Sequence, residues 1–131
     1  MPHCTVTLAE ELLDDTTDQR LATALTDAVV AVYGDWARPL VVIAFHALPT
    51  ARFAVGGQLG TVPPPAVELR SRAGIFTLVP DAAPRLAAGL TDAVVGVLGE
   101  DVRADTAVTL VGVADDRSAV GGVLFSVQDP R

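Results

Sequence analysis

Lysine is absent from this chain of 131 residues, and arginine supplies all nine cationic side chains. Sixteen acidic side chains outnumber them, which gives a formal net charge of −7 and a pI near 4.5. Binding to nucleic-acid phosphates requires a basic surface. The composition therefore argues against a nucleic-acid partner.

Cysteine and long apolar runs are also scarce. Cys4 is the only cysteine, so no internal disulfide can form. The apolar runs are too short to cross a bilayer, and the first residues lack the basic and apolar regions of a signal peptide. We therefore expect a cytoplasmic protein with no membrane partner. The alanine- and arginine-rich composition is typical of a GC-rich bacterial genome.

The chain is long enough for one domain, and half of its residues are apolar. We predict a single domain over residues 1–131. Within it the sequence is written twice: residues 20–60 align with residues 85–125 without gaps, at a constant offset of 65. Eighteen of these 41 positions are identical. The internal repeats cover approximately residues 2–60 and 66–125, and they should share one local structure.

Each repeat has the pattern of a strand, a helix and a strand. Residues 3–8 alternate polar and apolar side chains, and residues 40–48 form a continuous apolar run. Between them, Thr16 and Gln19 resemble a capping box at the start of a helix. Two β-α-β units predict an α+β fold, with a four-stranded mixed sheet and two helices on one face.

The other face of this sheet has no helix from its own chain to cover it. Because the strands are rich in apolar residues, we expect a second copy of the chain to cover that face. Oligomerisation is therefore predicted from burial alone.

A proline follows the initiator methionine, and the sequence FAVGG occurs at residues 53–57. FAVGG is similar to the Phe-Gly-Ile-Gly-Gly stretch of 4-oxalocrotonate tautomerase, and together with the proline it makes the chain resemble the tautomerase superfamily. The double repeat and AFHALP (44–49) are similar to macrophage migration inhibitory factor. The resemblance implies a homotrimer with active sites at subunit interfaces. It also implies enol–keto conversion of small 2-oxo acids without a cofactor or a metal.

Pro2 is the candidate catalytic residue. If Met1 is removed, Pro2 has a secondary amine, and burial lowers the pKa of such an amine toward neutrality. A base of this kind can move a proton between carbon and oxygen. The alternative is an ordinary proline at the start of a strand, with Met1 still attached.

Three arginines are candidate substrate ligands, because a guanidinium binds a carboxylate through two hydrogen bonds. Arg38 follows the first helix, where the resemblance implies a substrate-binding cation. Its equivalent in the second repeat is Arg103, which suggests the alternative that both arginines stabilise the end of the helix that precedes them. Arg70 and Arg72 alternate on the third predicted strand and share one face. Intersubunit salt bridges are the alternative for these two.

Aromatic side chains are few, and three of them are candidates for the pocket. Phe53 resembles the pocket phenylalanine of 4-oxalocrotonate tautomerase, and its equivalent in the second repeat is Ser118. It is interpreted as pocket or interface wall. Tyr33 and Trp36 line the entrance to the pocket or anchor the loop after the helix.

Three classes of function remain open. The first is a tautomerase acting on a small 2-oxo or enol acid through Pro2. The second is an enzyme of other chemistry on the same fold, such as hydration, decarboxylation or conversion of a secondary metabolite. The third is a non-catalytic binding or assembly protein, which retention of Met1 would favour.

Overall fold

The computed structural model describes residues 2–128, so the predicted removal of Met1 lies outside the described residues. Short 3-10 turns connect several of the helices and strands. In chain order the elements are β1 (His3–Ala9), α1 (Asp15–Tyr33), β2 (Val42–Leu48), β3 (Ala54–Val55), β4 (Gln58–Leu59), β5 (Ala66–Arg72), α2 (Ile75–Leu78), α3 (Ala82–Leu98), β6 (Ala107–Val113), β7 (Ala119–Val120), β8 (Val123–Leu124) and α4 (Phe125–Gln128).

Four strands form the main sheet in the order β2-β1-β5-β6. β1 pairs in parallel with β2, and β5 pairs in parallel with β6. The two halves join where β1 and β5 run antiparallel at the centre of the sheet. This mixed sheet with its two long helices confirms the predicted α+β fold of two β-α-β units. The extent of the domain, residues 1–131, stays a prediction.

The core lies between the sheet and the two long helices. The inward side chains of β1 are Cys4, Val6 and Leu8, and all three are fully buried. The helix stripes that cover them contain Leu21, Leu25, Val29, Leu86, Leu90 and Val94. The spacing of four residues places these side chains on one face of each helix, which removes a continuous apolar surface from water.

The repeat is also present in the backbone. The hairpin of β3 and β4 recurs in β7 and β8 after 65 residues. Its turn is made by Gly56 and Gly57 in one repeat and by Gly121 and Gly122 in the other, all with positive φ between 58° and 82°. Two positive φ angles in succession are typical of a two-residue hairpin turn that favours glycine. The sequence identity between the repeats therefore preserves a conformation.

The helix-free face of the sheet is less apolar than predicted. Its central strands carry His3 and Thr5 from β1 and Glu68 and Arg70 from β5. Apolar residues dominate only the outer strands, where Val42, Ala44, Ala107, Val111 and Val113 lie on this face. The alternation of buried and accessible residues along β5 sends its charged side chains away from the helices.

Candidate active site

Pro2 lies immediately before β1, at the end of the sheet where β2 also begins. Its carbonyl accepts a 3.0 Å hydrogen bond from the backbone N–H of Val42. The residue is buried, yet it lines a cavity of about 520 Å³. The start of a central strand is a rigid position, so the fold fixes the proline ring against the cavity wall.

The first repeat supplies one apolar wall of this cavity through Tyr33, Trp36 and Leu40. Gly34 ends α1 with a φ of 107°, a conformation that side chains other than glycine rarely adopt. The Trp36 ring packs so closely against Gly34 that a Cβ at this position would lie 3.0 Å from the indole. The indole N–H also donates a 2.8 Å hydrogen bond to the carbonyl of Tyr33. The glycine turn therefore places the tryptophan at the cavity.

The short helix α2 supplies the facing apolar wall. Ile75 and Leu78 line the cavity from this helix, and Leu78 is strongly exposed. In the described residues the first repeat has only a three-residue turn at the equivalent place, Glu10–Leu12. The second repeat therefore adds to the cavity lining an apolar element that has no equivalent helix among the described residues of the first repeat.

A pair of hydroxyl groups joins the two repeats beside Pro2. The Tyr33 hydroxyl donates a hydrogen bond to the hydroxyl oxygen of Ser71, a buried residue of β5. Burial raises the pKa of Tyr33, although its hydrogen bond with Ser71 works in the opposite direction. The phenol therefore stays protonated at neutral pH and can act as a hydrogen-bond donor.

Arg72 and Asp115 form the charged part of the cavity wall. The guanidinium donates through its Nε to one carboxylate oxygen at 2.8 Å and through Nη2 to the other at 2.7 Å. This is the two-point geometry in which arginine binds carboxylates most strongly. The guanidinium also lies 5.2 Å from the centre of the Phe125 ring, within the range of a cation–π contact. Arg72 is thus held from two sides.

A second cavity of about 550 Å³ adjoins the first on the helix-free face. It shares Ser71, Arg72 and Phe125 with the Pro2 cavity, and His3 and Arg70 add polar groups. Arg70 is itself engaged, because its Nε donates a 2.8 Å hydrogen bond to Glu68 on the same strand. The face of β5 that carries both Arg70 and Arg72, as the sequence predicted, therefore lines this second cavity.

Arg38 and Phe53 are not among the described residues that line either cavity. Arg38 forms a 2.8 Å salt bridge with Asp27, and both side chains are about half exposed. Phe53 precedes β3 and closes its hairpin, since its carbonyl accepts a hydrogen bond from Gly60. Their predicted roles in substrate binding stay predictions, and a single chain does not bring them to Pro2.

Sequence reasoning missed Ser71, Ile75, Leu78, Asp115 and Phe125 as cavity residues. A signal was present in the repeats for two of them. Asp115 is equivalent to Thr50, and Phe125 is equivalent to Gly60. Trp36 shows the same signal, because its equivalent is Asp101. The positions where the repeats differ most in chemistry therefore include those that build the cavity.

Metal binding finds no support within residues 2–128, where no cluster of three or more His, Cys, Asp or Glu side chains is suited to hold an ion. None of the helices within residues 2–128 has the length and apolar character needed to cross a membrane.

The fold is that of solved structures described as fused 4-OT and as macrophage migration inhibitory factor. The chain is similar to a structure described as a fused 4-OT asymmetric trimer, with 23% identity, 96% of this chain and 98% of the other covered, and a TM-score of 0.82. A native fused 4-OT gives 24% identity over 95% and 97% of the two chains, with a TM-score of 0.80.

A third structure, macrophage migration inhibitory factor from Toxoplasma gondii, gives 18% identity over 94% and 99% of the chains, with a TM-score of 0.71. Neither protein-family models nor curated protein sequences give a match. The likeness is therefore one of fold, and it confirms the superfamily fold that the motifs resembled.

Proposed function

We propose that this chain is a tautomerase-like enzyme in which the amine of Pro2, freed by removal of Met1, is the general base. The observation that carries the proposal is the burial of Pro2 at the wall of a cavity of about 520 Å³. Burial favours the neutral amine over the ammonium. A neutral secondary amine in a largely apolar cavity can accept and return a proton at neutral pH.

The proposed reaction converts a small enol or 2-oxo compound between its tautomers. The Pro2 nitrogen takes the proton of the enol hydroxyl, and the oxygen becomes a carbonyl as electron density moves to carbon. The ammonium then gives its proton to that carbon, which restores the neutral amine. The single hydroxyl proton of Tyr33 is already donated to Ser71, so the Ser71 hydroxyl, which lines the same cavity and keeps its own proton, is the candidate donor to the substrate oxygen.

One structure of similar fold suggests a reagent that can test the proposed amine. One similar structure, at 21% identity and a TM-score of 0.81, is described as Pt0534 inactivated by 2-oxo-3-pentynoate. That reagent is an electrophilic alkyne conjugated to a ketone, and a neutral amine adds to such a carbon. We expect it to label Pro2 in the processed chain.

We also propose that the working form is a homotrimer. Several structures of similar fold are described as trimers. The apolar outer strands of the helix-free face give a physical reason for association, because they leave valine side chains such as Val42 accessible in the single chain. Sedimentation equilibrium at micromolar concentration should give three times the chain mass, and a monomer mass would contradict this proposal.

Among the predicted substrate ligands, Arg72 is the one that lines the cavity of Pro2, where its guanidinium is already bound to Asp115. Arg70 lines the neighbouring cavity. Arg38 and Phe53 lie elsewhere in the single chain, and they remain candidates whose roles require a direct test.

The decisive experiment compares the processed chain with a chain that keeps Met1. Mass spectrometry defines each N-terminus, and NMR in D₂O follows exchange of the α-carbon protons of phenylpyruvate and phenylacetaldehyde. The processed chain should accelerate exchange, and the Met1 form should not, since its Pro2 nitrogen is an amide. Equal rates for both forms would refute the proline mechanism. A native chain that retains Met1 would instead favour a binding or assembly protein.

A further inference from the structure

We propose that Asp115 sets the charge selectivity of the Pro2 cavity, so that the cavity prefers an uncharged aromatic or apolar carbonyl compound over a carboxylic acid. This inference deepens the proposed function and rests on it only in taking the Pro2 cavity as the ligand site. The inference is based on one contact: the carboxylate of Asp115 is already bound to the guanidinium of Arg72 by two hydrogen bonds.

The geometry of the pair makes Asp115 an internal equivalent of a substrate carboxylate. Both of its oxygens accept from Arg72, at 2.8 and 2.7 Å. The side chains are only about a third exposed, at 30% for Arg72 and 35% for Asp115. Partial shielding from water strengthens such a pair compared with one on the surface. A carboxylate ligand would have to displace Asp115 or bind beside it.

The contact with Phe125 also disfavours rearrangement of the guanidinium. The ring lies 5.2 Å from the arginine carbon and lines the same cavity. Turning Arg72 toward a new ligand would sacrifice this cation–π contact as well as the two hydrogen bonds. The charge of Arg72 is thus paired and fixed in place.

The rest of the cavity is suited to an apolar ligand. Trp36, Leu40, Ile75 and Leu78 present aromatic or aliphatic surface. The equivalents of Trp36 and Leu40 in the second repeat are Asp101 and Asp105. The apolar character therefore belongs specifically to the end of the sheet that holds Pro2, where the repeats share a backbone but differ in side chains.

The test uses two unreactive ligands that differ in charge: 3-phenylpropanoate and its amide, 3-phenylpropanamide. Trp36 is the only tryptophan of the chain and lines the cavity, so its fluorescence reports binding without any turnover. At pH 7 we expect the wild-type chain to bind the amide about tenfold or more tightly than the carboxylate. The carboxylate loses its charged hydrogen bonds with water when it enters the cavity, and Arg72, already bound to Asp115, does not replace them.

Asp115→Asn should shift this selectivity toward the carboxylate by about tenfold or more, because an amide no longer neutralises Arg72. Asp116→Asn is the matched control. It removes the same charge from the next residue, which pairs instead with the exposed Arg117 at 3.1 Å. We expect this control to leave the ratio of the two dissociation constants unchanged.

Arg72→Gln combined with Asp115→Asn assigns the effect to the pair, since the gain in carboxylate binding should disappear. Asp115→Ser replaces Asp115→Asn if circular dichroism shows that the latter does not fold. Wild-type preference for the carboxylate, an equal shift in the Asp116 control, or no binding of either ligand would each overturn the proposal. None of these results depends on whether Pro2 transfers a proton, which the exchange experiment measures separately.

Discussion

The carbonyl of Pro2 and the carbonyl of Pro65 each accept a 3.0 Å hydrogen bond from the residue that starts the neighbouring parallel strand. The donors, Val42 and Ala107, are 65 residues apart, so the two prolines are structural equivalents. Both are buried. They differ in chemistry, since the nitrogen of Pro65 is always an amide, whereas that of Pro2 is an amine once Met1 is removed.

This pair separates the structural role of a strand-start proline from the catalytic role of an amine. We expect Pro65→Ala to lower stability and to leave kcat/KM unchanged in tautomerase assays. Pro2→Ala keeps a primary amine but loses the rigid ring, and it should lower kcat/KM by about 100-fold or more, the contribution of a general base. Ketonisation of enolic phenylpyruvate provides the measurement. Similar losses in both variants would assign Pro2 to structure alone.

The fold could be predicted because it depends on periodic side chains. The alternation of side chains in β1 and the apolar stripes of the helices specify which faces are buried. Because the sequence is repeated, both β-α-β units have the same pattern of buried faces. The third predicted strand, which carries Arg70 and Arg72, is the observed β5 (Ala66–Arg72). The predicted capping box at Thr16 and Gln19 is wrong, because Asp14 accepts the 2.8 Å hydrogen bond from Thr17 and caps the helix. Several side chains there are capable caps, and only the backbone path selects one.

The cavity could be predicted only in part, because long-range contacts define it. Nothing local in the sequence joins Tyr33 to Ser71 or Arg72 to Asp115, which are separated by 38 and 43 residues. The sheet register brings each pair together. Pro2 could be proposed from the sequence because the chemistry of an N-terminal proline depends on its place in the chain rather than on a contact, and its catalytic role stays a prediction.

Burial of the Cys4 thiol is expected to make the free energy of unfolding depend on pH in the alkaline range. Burial raises its pKa from 9.0 to about 12. Below pH 9 the thiol is protonated in both the folded and the unfolded chain. Between pH 9 and 12 the unfolded chain loses this proton more readily. Stability therefore falls as pH rises across that range, by up to about 4 kcal/mol from this group.

Urea unfolding at several pH values from 8 to 12 should show that decline in the wild-type chain. Cys4→Ala is expected to be less stable at pH 8, because it leaves a small void, but its free energy of unfolding should depend less steeply on pH. Parallel declines for the two chains would mean that Cys4 does not carry the effect. Burial, the main cause of the raised pKa of Tyr33, is common to both chains, whereas the smaller contribution of the Cys4 thiolate to that pKa is lost with Cys4→Ala and adds to the difference.

The hydroxyl pair of Tyr33 and Ser71 is expected to stabilise the junction between the repeats. Tyr33→Phe removes the donor and leaves the buried Ser71 hydroxyl without this partner, at a cost of about 1–3 kcal/mol. Ser71→Ala is the complementary change. If the two hydroxyls act through one hydrogen bond, the double variant should be less destabilised than the sum of the single variants in urea unfolding. Strict additivity would show that each group acts independently.

Arg38 and Arg103 occupy equivalent positions in the two repeats, so a variant of one serves as the control for a variant of the other. Arg38 binds Asp27 at 2.8 Å, and Arg103 binds Asp92 at the same distance, with every residue displaced by 65. Hydrogen bonds with Glu100 and then Asp92 raise the pKa of Arg103, so its guanidinium stays charged throughout the working range. Both arginines thus join a long helix to the turn that follows it.

We expect Arg38→Ala and Arg103→Ala to behave alike. Exposed ion pairs contribute little to stability, so each variant should show only a small fall in Tm that shrinks further at high salt. If the arginines serve only the helix exit, KM for phenylpyruvate should be the same in both variants. A rise in KM confined to Arg38→Ala would instead assign that guanidinium to the substrate, because Arg103 forms the equivalent ion pair with its own helix, besides an additional pair with Glu100.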